Sequence, residues 1–333
     1  VRNRSCSKGD GILQLNLFSE IRQDLKQVEA ELFRYVDASN PLLAETSAHL
    51  LRAGGKRLRP AFALLAGKFY NYSLSRLMPL AVALELIHMA TLVHDDVIDA
   101  AATRRGIPTV RAKWGDRVSL HTGDYLFAQS LLLIARYEDP RIAQVLAEVS
   151  VQMCQGELQQ IATAYDVNQS TRDYFYRIKR KTALLIAASC QLGAVATGAP
   201  AHVVRSLDFY GYYLGMAFQI TDDILDITAD QKELGKPIGG DLRQGVITLP
   251  VIYALKHSPC NGRLKELVKK REKTEDEVQE AIEIVKASGG IEYAFRVSNR
   301  YLAKAKEQLR KLPEIKTRDT LECIADFIAM RRF

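Results

Sequence analysis

An all-α fold, a bundle with buried central helices, is what this sequence predicts, and three observations carry that expectation. Apolar residues recur at three- and four-residue steps over long stretches. Alternating β-branched runs bounded by Asn-Gly or Asp-Gly are missing, so few strands are expected. Prolines fall mostly between the periodic stretches, at Pro41, Pro60, Pro108, Pro140, Pro200, Pro237, Pro259 and Pro313, where they punctuate helices rather than break them.

The expected helices run from Leu77 to Asp99, Gly123 to Arg136, Pro140 to Ala164, Thr171 to Thr197 and His202 to Ile227. Pro79 falls in the first turn of its stretch, where a missing N–H is tolerated. Several stretches are apolar on more than one side, which suits central members of a bundle. The charged stretch Lys265–Glu280 reads as an exposed helix, and Ser258–Gly262 as a mobile loop. No repeat or low-complexity linker divides the chain, so residues 1–333 are expected to form one all-helical domain, with 1–20 a poorly ordered or peripheral segment.

Composition narrows the function. The 333 residues are 47% hydrophobic and 26% charged, which excludes a disordered chain. Five scattered cysteines without a C-x-x-C pair exclude a disulfide scaffold and fit a reducing compartment. The richest apolar stretch, Met78–His94, is interrupted by Glu85 and His88, and the first residues contain no apolar signal core. A cytoplasmic location is therefore expected. The 46 Lys+Arg against 39 Asp+Glu leave +7, gathered in short clusters that suit small anions better than nucleic acid.

Two acidic motifs dominate the chemistry. Asp95-Asp96-Val97-Ile98-Asp99 closes the first long helix, and Asp222-Asp223-Ile224-Leu225-Asp226 closes the fifth. In each, the outer acids share a face and the middle one lies about 100° away. Acids at a helix C-terminus oppose the macrodipole, so capping does not explain them. Hard oxygen ligands on two facing helices suit Mg²⁺, which combines few carboxylates with water and substrate phosphate. The expectation is a diphosphate held by magnesium between two acidic walls.

Cationic clusters fit that picture: Lys56, Arg57 and Arg59 after Gly54-Gly55, Arg104-Arg105-Gly106, Lys179-Arg180-Lys181-Thr182, and Gly235-Lys236-Pro237. Alone, each reads as solvated surface. Two of them directly follow the acidic motifs, which favours convergence on phosphate oxygens. His88 shares a stripe with Glu85, Asp95 and Asp99, and reads equally as a ligand or a core histidine. Gln219 lies on the face of the second motif. P-loop, dinucleotide-binding, nucleophile-elbow and zinc patterns are missing.

The ordered set GGKRLRP, ELIHMATLVHDDVID, RRG, KRKT, FQITDDILD and GKPIGGDL resembles the trans-isoprenyl diphosphate synthases over most of the chain. Within that family, three stretches look most like the catalytic component of bacterial heptaprenyl diphosphate synthases. The resemblance implies a bundle around a deep central cavity. It also implies magnesium bound by Asp95, Asp96, Asp99, Asp222, Asp223 and Asp226. Arg104, Lys181, Thr182, Gln219 and Lys236 would hold an allylic diphosphate, and Lys56, Arg59, His88 and Arg105 isopentenyl diphosphate. Ala100, Ala101 and Ala102 depart from the more acidic loop of close relatives.

By the same resemblance, Ala90 and Thr91 stand where short-chain relatives carry aromatic residues. Here their small size lets a growing chain pass, although close helix packing would also explain them. A long product for a quinone side chain, heptaprenyl favoured over hexaprenyl, octaprenyl or geranylgeranyl, is the implied outcome. A small second subunit or a homodimer is the implied assembly, and release of such a product favours contact with a membrane surface. The competing class is a non-catalytic, partner-binding subunit, which would be expected to lose ligands that this chain keeps.

Overall fold

The computed structural model describes residues 17–228 and 238–330. After a short turn at Ser19–Ile21, the first half contains helices α1 (Arg22–Val36), α2 (Pro41–Arg52), α3 (Leu58–Gly67) and α4 (Leu74–Ile98). A two-stranded hairpin follows, β1 (Thr103–Arg104) with β2 (Ile107–Pro108). Helices α5 (Val110–Trp114), α6 (Asp116–Ile134), α7 (Pro140–Ala162) and α8 (Thr171–Ile178) come next. A π-turn at Lys179–Ala183 joins α8 to α9 (Leu184–Ala196), and α10 spans Ala201–Thr228. The rest comprises α11 (Gly240–Gln244), α12 (Leu249–His257), α13 (Asn261–Lys269), α14 (Glu275–Ala287), α15 (Gly290–Leu309) and α16 (Lys316–Met330).

Helices α4 and α10 organise the bundle. α4 packs chiefly on α6, while α10 packs on α9 and α15. The close approach of α9 to α3 depends on Gly193, where a Cβ would sit 2.2 Å from the Ala63 carbonyl oxygen. Two apolar clusters result. One joins α1, α3, α4, α9 and the first half of α10; the other joins the second half of α10 to α12–α15. α4 is long and apolar enough to cross a membrane, yet 67% of its most apolar window is buried against neighbours, as befits a core helix.

All five expected helices are present, most ends shifted by up to three residues, but the second begins at Asp116, seven residues before Gly123, and the fourth is interrupted by the π-turn. The α4 helix starts at Leu74, so Pro79 sits in its second turn rather than its first. Pro79 disturbs the backbone ladder there. The Tyr137 hydroxyl fills the gap, accepting from Leu80 N at 2.9 Å and donating to Arg76 O at 2.5 Å. The Lys265–Glu280 stretch is two helices, not one, because Thr274 caps α14 through a reciprocal bond with Glu277. Ser258–Gly262 is a tight connection in which Ser258 is buried, rather than an open loop.

The strand pair was not legible as Asn-Gly or Asp-Gly. Its turn is Arg105-Gly106, with φ of 54° and 78°, the two positive values a tight hairpin requires. The expectation for 1–20 falls mostly on residues outside the described ones. Of those described, Leu17 and Phe18 are half-buried against the core, and Glu20 accepts hydrogen bonds from Thr317 and Thr320 of α16.

Candidate active site

Both acidic motifs terminate their helices, and both lead into one polar cleft of about 680 Å³. Asp99, Arg104, Arg105, Lys181, Gln219, Asp223 and Asp226 line it, joined by Gln160, Arg177, Asp241 and Thr248, which spacing alone did not single out.

In each motif the middle acid turns inward. Asp96 is 1% exposed and accepts from Arg104 Nε at 2.8 Å, with a second guanidinium nitrogen at 2.8 Å. Asp223 is 5% exposed and both its oxygens are taken: Tyr174 donates at 2.6 Å and Gln219 at 2.8 Å. Thr182 donates to Gln219 Oε1 at 2.5 Å, which orients that amide. The outer acids Asp95, Asp99 and Asp226 are half-buried, and Asp222 is exposed. Asp226 accepts from the Gly240 and Asp241 amides at 3.2 and 3.1 Å, which ties the end of α10 to the start of α11.

Acids and cations face each other in the cleft, Asp99, Asp223, Asp226 and Asp241 against Arg104, Arg105, Arg177 and Lys181. Burial pushes Asp95 up to about 7, with Lys181 pulling it down and Glu157 pushing it further up. Burial also raises Asp223 to about 7, opposed by its bonds from Tyr174 and Gln219. Asp241 rises well above the usual carboxylate range through burial and then through Asp226. Buried carboxylates in this state favour a divalent cation. Among the described residues no three His, Cys, Asp or Glu side chains converge on one point. The outer carboxylates of the two motifs are hard oxygen donors of the kind that suits magnesium, an ion that takes few protein oxygens and adds water and phosphate.

The basic residues form a second centre beside the acids. Gly54, Gly55 and Arg57 take φ of 78°, 155° and 47°, so the chain reverses before α3. Arg57 is buried in that strained position and held there by Glu85 at 3.0 Å, Leu51 O at 3.1 Å and Glu29 at 3.3 Å. Glu85 is thus a structural counter-ion. Arg59 falls to about 10 because of burial, with Arg105 adding repulsion and Glu85 opposing it, and its buried Nε lacks a hydrogen-bond partner. Burial, then Arg59 and Arg105, hold His88 well below its ordinary range, so its imidazole is neutral. Arg105 lies over Gly55, where a Cβ would meet its guanidinium at 2.8 Å. Mutually repelling guanidiniums with an unpaired buried N–H are an arrangement that an anion would neutralise.

Lys181 projects from the π-turn to Glu157, at 3.0 Å, and Gln160, at 3.4 Å. π-turns insert one residue and re-aim side chains, often at functional sites. Lys56 is exposed and lines a separate apolar cavity of about 320 Å³ with Phe62 and Phe218. Ala90 is buried in the apolar core, and the Thr91 hydroxyl donates to His88 O at 2.8 Å within its own helix; neither lines the cleft. Lys236 lies outside the described residues.

Residues 40–285 match the family model for polyprenyl synthetase. Component 2 of heptaprenyl diphosphate synthase from Bacillus subtilis is 48% identical over 316 residues, covering 95% of this chain and 90% of that one. The crystal structure of heptaprenyl diphosphate synthase from Staphylococcus aureus superposes with a TM-score of 0.89 at 38% identity, covering 94% and 99% of the two chains. A polyprenyl synthase from Caulobacter crescentus, complexed with calcium and isoprenyl diphosphate, gives 0.91 at 33% identity, covering 99% and 100%. With the acidic helix ends, the guanidinium cluster and these likenesses together, the chain belongs to the polyprenyl synthetase family.

Proposed function

We propose that this chain condenses isopentenyl diphosphate repeatedly onto an allylic diphosphate such as farnesyl diphosphate, making a long all-trans polyprenyl diphosphate with heptaprenyl favoured. The observation that carries the reading is the pairing of two acidic helix ends across one cleft with a separate guanidinium centre alongside. That arrangement suits two diphosphates, one held through metal and one held directly by cations.

Asp95, Asp96, Asp99, Asp222, Asp223 and Asp226 would hold Mg²⁺, with Asp96 and Asp223 also keeping their helix ends aimed through Arg104, Tyr174 and Gln219. When bound, the metal neutralises charge developing on the leaving diphosphate. Arg104, Lys181, Thr182, Gln219 and Lys236 hold the allylic head. Arg59, Arg105, Lys56 and neutral His88 hold isopentenyl diphosphate. The allylic C–O bond breaks, the isopentenyl double bond attacks the allylic cation, and the departing diphosphate takes the proton lost in restoring the alkene. No side chain in the cleft is needed as base.

The small Ala90 and Thr91 leave room for the growing chain in this reading, so Ala90→Phe or Thr91→Phe shortens the product. Wild-type lengths from both variants, measured by chromatography, would remove that assignment. The name component 2 borne by the Bacillus relative supports a separate, smaller subunit as partner. Supply of a quinone side chain and delivery of product at a membrane surface complete the proposal. Incubating the purified protein with farnesyl and isopentenyl diphosphates and Mg²⁺, alone and with a candidate small subunit, tests it. Metal-dependent formation of long prenyl diphosphates is expected. No condensation product under either condition would overturn it.

A further inference from the structure

Beside the cleft, against Lys181 of its lining, stands an acid that the proposed chemistry leaves without a task. Glu157 stands on α7 opposite the π-turn, with its carboxylate oxygens 3.0 and 3.2 Å from Lys181 Nζ. Gln160, one turn on, accepts from the same ammonium at 3.4 Å. The contact is built by backbone packing on both sides of the turn. A Cβ on Gly156 would lie 2.8 Å from Arg180 Cβ, and one on Gly215 2.6 Å from Ala183 Cα. Glycines on α7 and α10 therefore let two helices close on the widened backbone, and the residue after Gly156 is delivered to Lys181.

Lys181 has two sets of acids within its electrostatic reach. It exerts the largest attraction on Asp95 and on Asp99, and Glu157 exerts the largest repulsion on both. An ammonium on a four-carbon stem is a mobile point charge that will settle on the nearest carboxylate. Settled on Asp95 or Asp99, it would compete directly with a divalent cation for those oxygens.

We propose that Glu157 is a positioning residue that parks Lys181 away from Asp95 and Asp99, keeping their oxygens open to metal until a diphosphate draws the lysine off. This rests on the reading of those aspartates as metal ligands. Glu157 acts through Lys181, not as a ligand itself, and the two roles separate in a double-mutant cycle.

The test measures Mn²⁺ binding to the purified protein from the electron paramagnetic resonance of free Mn²⁺, without substrate or turnover. Helical circular dichroism is followed alongside. Glu157→Gln is expected to weaken Mn²⁺ binding about tenfold in the presence of Lys181, because the freed ammonium moves onto the aspartates. In a Lys181→Met background the same change is expected to cost no more than about threefold, the through-space loss of one distant charge. Equal weakening in both backgrounds would make Glu157 a ligand or a simple charge and overturn the proposal, as would no weakening in either. Failure of the wild-type protein to bind Mn²⁺ at all would instead strike at the metal reading beneath it.

Discussion

The two acidic motifs have the same spacing but different surroundings. At the end of α4, the buried middle acid Asp96 is held by a cation, Arg104, supplied by the hairpin that follows. At the end of α10, the buried middle acid Asp223 is held by neutral donors, Tyr174 from α8 and Gln219 one turn back. The outer acid Asp99 faces Lys181 and Glu157 across the cleft, whereas Asp226 is tied to backbone amides of α11. The first end is balanced by mobile side-chain charges and the second by fixed dipoles. Two D-D-x-x-D strings of the same spacing thus build one adjustable wall and one rigid wall, because each takes its partners from what the chain places beside it.

The largest effect should come from removing an outer acid on either wall. Asp95→Ala or Asp222→Ala is expected to lower condensation by on the order of 10²–10³ or more, with native helical circular dichroism. Full activity in either variant would end the two-wall description. Next, the supports of the middle acids should differ in kind. Arg104→Gln leaves a buried carboxylate without its cation and is expected to cost roughly 3 kcal/mol of stability. Tyr174→Phe removes one neutral donor and should cost about 1.5–2 kcal/mol. Urea unfolding followed by circular dichroism compares them, and equal costs would erase the distinction between charged and neutral support.

The smallest effect is a proton count. With Asp95 raised to about 7 by burial, Lys181 pulling it down and Glu157 pushing it up, this carboxyl is mostly protonated at pH 6.5 and ionised at pH 8.5. A metal binding to it must expel the proton, so affinity rises with pH across this interval. Mn²⁺ calorimetry in two buffers of different ionisation heat should show proton release at pH 6.5 and little at pH 8.5. Asp95→Asn should abolish the release. A release unchanged in that variant would place the proton elsewhere.

Much was already legible in the sequence. Periodicity located the five long helices, because a face buried over several turns leaves a mark at every third or fourth residue. The D-D-x-x-D strings located both acidic helix ends, because acids that share one helix face must be spaced by its geometry. The hairpin was harder to see, since Arg105-Gly106 supplies positive φ without the usual Asn or Asp. The start of α4 was misplaced by three residues because Tyr137, distant in the chain, repairs the ladder at Pro79.

By itself, then, the sequence determined the helical class, the two acidic ends and the basic residues near them, all of which depend on spacing within one segment. Only the tertiary structure decided which acids face the cleft and which are buried, that Glu85 serves Arg57, that Tyr174 holds Asp223 and that Glu157 pairs with Lys181. The reason is physical: burial and pairing arise where distant segments meet, and an isolated carboxylate in a string carries no sign of the donor that will reach it.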